Sequence, residues 1–316
     1  MPTKEVPEHL LIEALNLEEE YGSAHLAVKA GVTDVPRNTI AFRANTARIK
    51  GLKPTIRKDA PRIYTRQRIG KMHLVIPDTQ VKPGVCIDHM EWIGNYIVEK
   101  KPDVIIHLGD HWDMESLSSY DKGKLGYEGR RYVKDVKSGQ DAMDRLIKPM
   151  QEYNRTAKEK YAPRMEFCMG NHEHRIVRMV DETPGLDGKC DLSDLGVANY
   201  GWKVNNFLEI VRAEGVEYSH FFISGPMGRP VSSAAVLLRE RQRSATMGHV
   251  QKYDLQIHPK TQQRAMFAGT CYLHSEAYLG PQGNSQRRQI IVKNEVQDGC
   301  YDLMEVSLEF LRKAYS

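Results

Sequence analysis

Residues 165–175 read MEFCMGNHEHR: an apolar run, a glycine, four side chains that ligate metals or move protons, then an arginine. A single Asp or Asn after a strand is usually a turn former or a helix cap. Here a whole cluster of reactive groups sits where a buried strand should end, the place where open α/β sheets bind ligands. Two other runs end the same way. HLVIP (73–77) leads into DTQ (78–80), and DVIIHL (103–108) leads into GDHWD (109–113). Between them, DHMEWIGNYIVEKK (88–101) has helical spacing, which completes a βαβ unit. A polar insertion with at least one helix, about 114–163, separates this unit from the third strand. Three successive predicted strands thus end in Asp78, Asp110 and Asn171.

Further along, GVEYSHFF (215–222), SATMGHV (244–250) and AMFAGTCYL (265–273) read as strands. RQIIVKNEV (288–296), the turn QDG (297–299) and CYDLMEVSLEF (300–310) read as a closing antiparallel pair, because Asp-Gly favours the tight turn of a hairpin. His220 and His249 fall inside apolar runs, where a lone histidine is ordinarily a satisfied core residue. Their joint occurrence with the aspartates is what argues for a site. Carboxylates, amide oxygens and imidazoles converging at strand ends are the donors that a two-metal hydrolytic centre needs.

The chain has 316 residues, 41% of them hydrophobic and 27% charged, as in a globular protein large enough for one large and one small domain. No apolar run approaches a membrane span, and MPTKEVPEHL lacks the apolar core of a secretory signal. Five cysteines, widely spaced and without a CxxC, argue for a reducing compartment, so a cytoplasmic location is expected. The net charge of +4 is uneven. Residues 36–71 hold eleven Lys or Arg against one acid, Asp59, a local +10 that leaves −6 for the rest. Such a block is either a solvated linker or the footprint of a phosphate-backbone partner.

Three helices are predicted upstream, over 9–21, over 23–30 closed by Gly31, and a third capped by Asp34 or Asn38 and ended by Gly51. LAVKAGV…TIAFRA in this region resembles a helix-turn-helix with a long turn; a generic three-helix bundle explains the same pattern. KPTIRKDAPRIYTRQRIGK, with two prolines and no periodicity, reads as a linker. The expected organisation is therefore a basic helical domain over 1–52, a basic linker over 53–70 and the main domain over 71–316. DNA is the expected partner, with Arg37, Arg43, Arg48, Lys50 and Lys53 as its contacts and no membrane involved.

The motif set resembles the calcineurin-like metallophosphoesterases, whose pattern runs D-x-H, GD-x-x-D, GNH-D/E, a lone His and GH-x-H. The matching stretches are Asp78-Thr-Gln80, Gly109-Asp110 through Asp113, Gly170-Asn171-His172-Glu173, His220 and Gly248-His249-Val-Gln251. The resemblance spans about 70–255. CYLHSEAYLGPQGN (271–284) also resembles phosphoesterases encoded by tailed phages, which would place the protein in a host cytoplasm. The fold implied is an α/β sandwich of mixed β-sheets flanked by helices.

By position, the resemblance makes Asp110 the ligand shared by two metal ions. Asn171, His220 and His249 complete one site, and Asp78 belongs to the other. It makes His172 the acid facing the leaving group, with Asp113 holding its tautomer, and water activated between the metals the attacking group. The activity implied is phosphoester hydrolysis. A nuclease is favoured because relatives include repair exonucleases. A phosphomonoesterase or nucleotide phosphatase is the alternative enzyme, and a DNA-binding adaptor with a degenerate phosphoesterase domain the alternative class. The departures are Gln80 and Gln251, which replace two histidines of the same metal. Amide oxygens suit hard ions, so Mn²⁺ is favoured, with Mg²⁺, Fe²⁺ or Zn²⁺ as alternatives. His111, Glu173, His174 and Arg175 border the site without an assigned role, and Trp112 is expected in the core.

Overall fold

The computed structural model describes residues 6–55, 69–276, 280 and 286–316. The expected linker falls largely on 56–68 and the phage-like stretch partly on 277–285, so most of the first and part of the second lie outside the described residues. The chain divides into two compact units, 1–67 and 68–316.

In the smaller unit, α1 (Glu8–Tyr21), α2 (Ala24–Lys29) and α3 (Arg37–Ile49) enclose a small core. Leu11, Ala14 and Leu15 on α1 meet Ile40, Ala44 and Ala47 on α3, each set at helical spacing, and the alanines permit close approach. Neither Asp34 nor Asn38 caps α3. Pro36 holds the cap position with φ −56° and no side-chain cap bond, because its ring presets the helical φ.

The larger unit is built on two mixed sheets. The first takes β1 (Lys71–Ile76), β2 (Val104–His107), β3 (Arg164–Cys168) and β4 (Lys203–Asn205) in parallel. The second holds β5 (Val211–Ala213), β6 (Val216–Ser219), β9 (Ala245–Met247), β10 (Tyr253–Ile257) and β11 (Arg264–Ala268), in the order β10-β11-β9-β6-β5. A small hairpin of β7 (Ile223–Ser224) and β8 (Arg229–Pro230) stands apart. β12 (Gln289–Gln297) and β13 (Cys300–Ser307) extend the first sheet antiparallel beyond β1. Asp298 and Gly299, with φ 50° and 82°, make the tight turn that joins them.

Alternation along the strands sends side chains to two cores. Leu74, Ile76, Ile105, Phe167, Ile290 and Val292 face α4 (Asp88–Lys100) and α5 (Tyr132–Thr156). Val75, Ile106, Cys168 and Ile291 face the second sheet. α7 (Ala234–Arg241), which follows α6 (Arg175–Glu182), covers that sheet's outer face with Leu237 and Leu238.

Several strand limits differ from expectation. LEF of 308–310 is not strand but the start of α8 (Leu308–Tyr315), because the Ser307 side chain accepts the Phe310 N–H at 3.1 Å and caps a helix there. β6 stops at Ser219, and Phe221 and Phe222 instead pack in the cluster beneath α7. β11 stops at Ala268, where Gly269 adopts φ 82°.

Candidate metal centre

β1, β2 and β3 are parallel, so their carboxyl ends share one edge of the first sheet; β6 and β9 are likewise parallel in the second. Three bonds stitch these edges. His220 Nδ1 donates to the Leu108 carbonyl at 2.7 Å, the Gly248 N–H to the His220 carbonyl at 3.0 Å, and the His249 N–H to Asp78 Oδ1 at 3.0 Å.

The backbone at this edge is strained. Gln80, Asp110, His249 and Gln251 have φ of 45°, 46°, 63° and 59°, the left-handed region that side chains other than Gly avoid. Each such residue costs about 1–3 kcal/mol and persists where surrounding structure over-determines it. Glycines make room beside them. A Cβ on Gly170 would lie 2.1 Å from Asp110 Oδ1, and one on Gly248 2.2 Å from Asp78 Oδ1.

The structure brings Asp78, Gln80, Asp110, Asn171, His172, His220 and His249 into one polar pocket. One donor atom each from Asp110, His220 and His249 lies within 4.8 Å of the others. Asn171 Oδ1 sits 2.9 Å from His220 Nε2 and 2.7 Å from His249 Nδ1. The Nδ1 proton of His220 is committed to Leu108, so its neutral ring turns a lone pair on Nε2 toward Asn171 Oδ1 and, at 3.4 Å, Asp110 Oδ1. Lone pairs facing lone pairs require a proton or a cation between them. Left to protons, His220 rises to about 9: burial opposes this, and Asp110 outweighs it. Asp78 Oδ2 is buried with no hydrogen-bond partner among the described residues, and burial together with Asp110 pushes this carboxyl up to about 7. Asp110 itself is held far below the usual carboxylate range, burial being outweighed by His172 and His220. His249 is lowered to about 4 by burial and by His220.

This donor set fits a divalent cation. Asp110, Asn171, His220 and His249 would hold one ion, and Asp78 with Asp110 would hold a neighbour. Of the two glutamines, Gln80 bonds Asp110 through its amide nitrogen, Nε2 to Oδ2 at 3.3 Å, and Gln251 uses its oxygen, Oε1 accepting from the Tyr272 hydroxyl at 3.0 Å.

His172 stands at the mouth. Its Nδ1 is 3.0 Å from Asp113 Oδ1 and 2.8 Å from the Asp113 carbonyl, which fixes that proton; Nε2 lies 3.0 Å from an Arg175 nitrogen. Burial would lower its pKa, but Asp110 and then Asp113 raise it. Asp113 falls to about 2 despite burial, through His172, Lys82 and Arg175.

Sequence reading missed several supports. Glu173 is a fully buried carboxylate that accepts the backbone N–H groups of Asp110, His111, Trp112 and Gly170 at 2.7–3.0 Å. It ties the turn after β2 to the turn after β3 and so fixes Asp110 against Asn171. Lys82 bridges Asp113 at 3.2 Å and Glu276 at 2.7 Å. Nothing local signals that bridge, because Glu276 lies 194 residues away. His111 bonds Thr79 and the Gly139 carbonyl, His174 stacks on Phe207, and Trp112 is buried in the core.

The expected nucleic-acid contacts belong to the smaller unit. Arg37, Lys50 and Lys53 are exposed, Arg43 is half-buried, and Arg48 pairs with Glu18 at 2.5 Å. All five cysteines are free. Among the described residues, no helix is long and apolar enough to cross a membrane.

No protein-family model and no curated protein sequence matches the chain. Among solved structures, zinc-complexed Vps29 from Entamoeba histolytica is 12% identical, with 75% of this chain and 99% of that one covered and a TM-score of 0.31. A second crystal structure is 14% identical at the same coverages, with a TM-score of 0.37. Neither likeness bears on what the site does.

Proposed function

We propose that the 68–316 unit is a metal-dependent phosphoester hydrolase of the calcineurin-like kind, acting on phosphodiesters of DNA. One observation carries the reading: five buried or half-buried donors from two sheets converge with more lone pairs than protons, and Asp78 Oδ2 meets no donor among the described residues. Divalent ions bound there would supply Lewis-acid polarisation of the phosphoryl oxygens and an activated water. The chain's own residues do the rest. Glu173 and the strained turns fix the donors in place before substrate arrives, which lowers reorganisation cost. Asp113 fixes the Nδ1 proton of His172, and Nε2 accepts from Arg175; a protonated ring would donate to the departing oxygen once substrate draws that guanidinium away. Asp110 and then Asp113 raise the His172 pKa against burial, the direction that favours the donor form. Arg175, next to Nε2, adds positive charge where the phosphoryl group would sit.

The basic residues of 36–71 support DNA as the substrate through backbone attraction, which carries no sequence information by itself. Glutamines in place of two histidines, with the Gln251 oxygen bonded to Tyr272, favour one competing reading, an adaptor whose second metal position is lost. A single set of measurements separates the two: metal content and calorimetric Mn²⁺ titration, with hydrolysis of bis(p-nitrophenyl) phosphate and of single- and double-stranded DNA. Expected are tight retention of one ion, weaker binding of a second, and Mn²⁺-stimulated cleavage. Replacing Arg37, Arg43, Lys50 and Lys53 with glutamine should lower the log–log salt slope of DNA binding by about 0.9 for each phosphate no longer neutralised. Metal-free protein that cleaves no phosphoester in Mn²⁺ would leave the adaptor as the better account.

A further inference from the structure

A cavity of about 270 Å³ opens beside the metal centre, between the 116–127 segment and one flank of α6. Its walls include Ser119, Lys122, Tyr127, Arg175, Arg178 and Glu182. Arg175 is the shared wall. The same guanidinium lies 3.0 Å from His172 Nε2, and His172 Nε2 is 3.8 Å from Asp110 Oδ2. The cavity therefore adjoins His172 across Arg175.

Its charge is unbalanced. Three cations face it against one carboxylate, Glu182. Neighbouring cations on the same segment are matched: Arg130 pairs with Asp121 at 2.8 Å and Lys124 with Asp121 at 3.2 Å. Arg178 and Lys122 have no carboxylate within ion-pair distance among the described residues. Arg178 follows Arg175 by three residues, so both side chains project on one face of α6. Two unmatched cations around a polar hollow are the chemistry of an anion site, and the anion has to be one that a phosphoester substrate brings with it.

We propose that this cavity binds a second phosphate of the substrate, the one adjacent to the phosphoryl group at the metal centre. The inference rests on the phosphoester hydrolase reading. It makes the preferred substrate one with at least two phosphates, either consecutive along a polynucleotide or joined in a nucleoside diphosphate.

The test uses the full chain with Arg178→Gln and Lys122→Gln combined; neither residue touches the donor cluster. Lys124→Gln, on the same segment but outside the cavity, is the control. Turnover of bis(p-nitrophenyl) phosphate, which has one phosphate, should stay at wild-type level in both. KM for a thymidine tetranucleotide should rise roughly tenfold or more in the double variant with kcat little changed, as expected when charge-assisted hydrogen bonds of uniform binding are removed. A matching rise for ADP would assign the site to a nucleotide's own diphosphate; a rise for the tetranucleotide alone would assign it to the polynucleotide backbone. Equal losses on the one-phosphate ester, or unchanged KM for both two-phosphate substrates, would overturn the proposal. Where no ester is cleaved by the wild type, the hydrolase reading fails separately. Calorimetric binding of inorganic pyrophosphate then decides the cavity: equal affinity in wild type and double variant rejects it.

Discussion

Two clusters of polar side chains are buried in the same unit, and they differ in one respect. Between the sheets, Lys293 is fully buried with its ε-amine 2.5 Å from Thr246 Oγ1 and 4.5 and 4.6 Å from the rings of Tyr218 and Tyr301. His73 extends that cluster, with Nδ1 2.8 Å from the Tyr218 hydroxyl and Nε2 2.8 Å from Glu214. Burial, then Arg264, hold Lys293 well below the ordinary lysine range; burial chiefly pushes His73 down to about 4. There, the amine, the imidazole and the Tyr218 hydroxyl find partners within the cluster, and its one orphan among the described residues is the Tyr301 hydroxyl, which carries its own proton. At the strand ends the balance fails: Asp78 and Asp110 crowd together, Asp78 Oδ2 is orphaned, and imidazole and amide lone pairs face one another. Burial alone therefore does not mark a functional site. A surplus of acceptors over protons does, because it has to be relieved by added protons or by a cation.

The comparison breaks most sharply at Asp110. Asp110→Asn removes the charge shared by both candidate metal positions, so hydrolysis should fall by about a thousandfold or more, with metal content falling in parallel. Elemental analysis beside the chromogenic assay reads both, and full metal retention would show that Asp110 is not a ligand. His172→Ala comes next. Turnover should drop by roughly 10²–10⁴ with metal content and thermal unfolding unchanged, the usual worth of a positioned acid. Loss of metal in that variant would make His172 a ligand. Lys293→Met should matter least. Exchanging a buried amine for an apolar chain of similar length should move stability by no more than about 2 kcal/mol, toward greater stability, without touching metal affinity. Denaturant titration and Mn²⁺ binding measure the two effects, and a drop in Mn²⁺ affinity would mean the clusters are coupled.

Much of the strand pattern could be read from the sequence because the signals are local. An apolar run followed by GDHWD or GNHE announces a strand and what stands at its end. Limits failed where a local competitor won. Ser307 captures the Phe310 N–H and starts α8 inside a run of strand-like residues. Short strands such as β4 and β5, three residues each, show no periodicity long enough to detect.

The sequence by itself determined which donors the chain has and the order in which strands deliver them. Tertiary structure decided what each donor meets. Asp78 accepts the His249 N–H across 171 residues, Lys82 reaches Glu276 across 194, and Gln251 spends its oxygen on Tyr272. Periodicity and turn chemistry act over a few residues, whereas a hydrogen-bond partner is selected by packing two sheets face to face. The same packing sets Arg178 and Lys122 beside a cavity without counter-ions among the described residues, and no local pattern of residues encodes that.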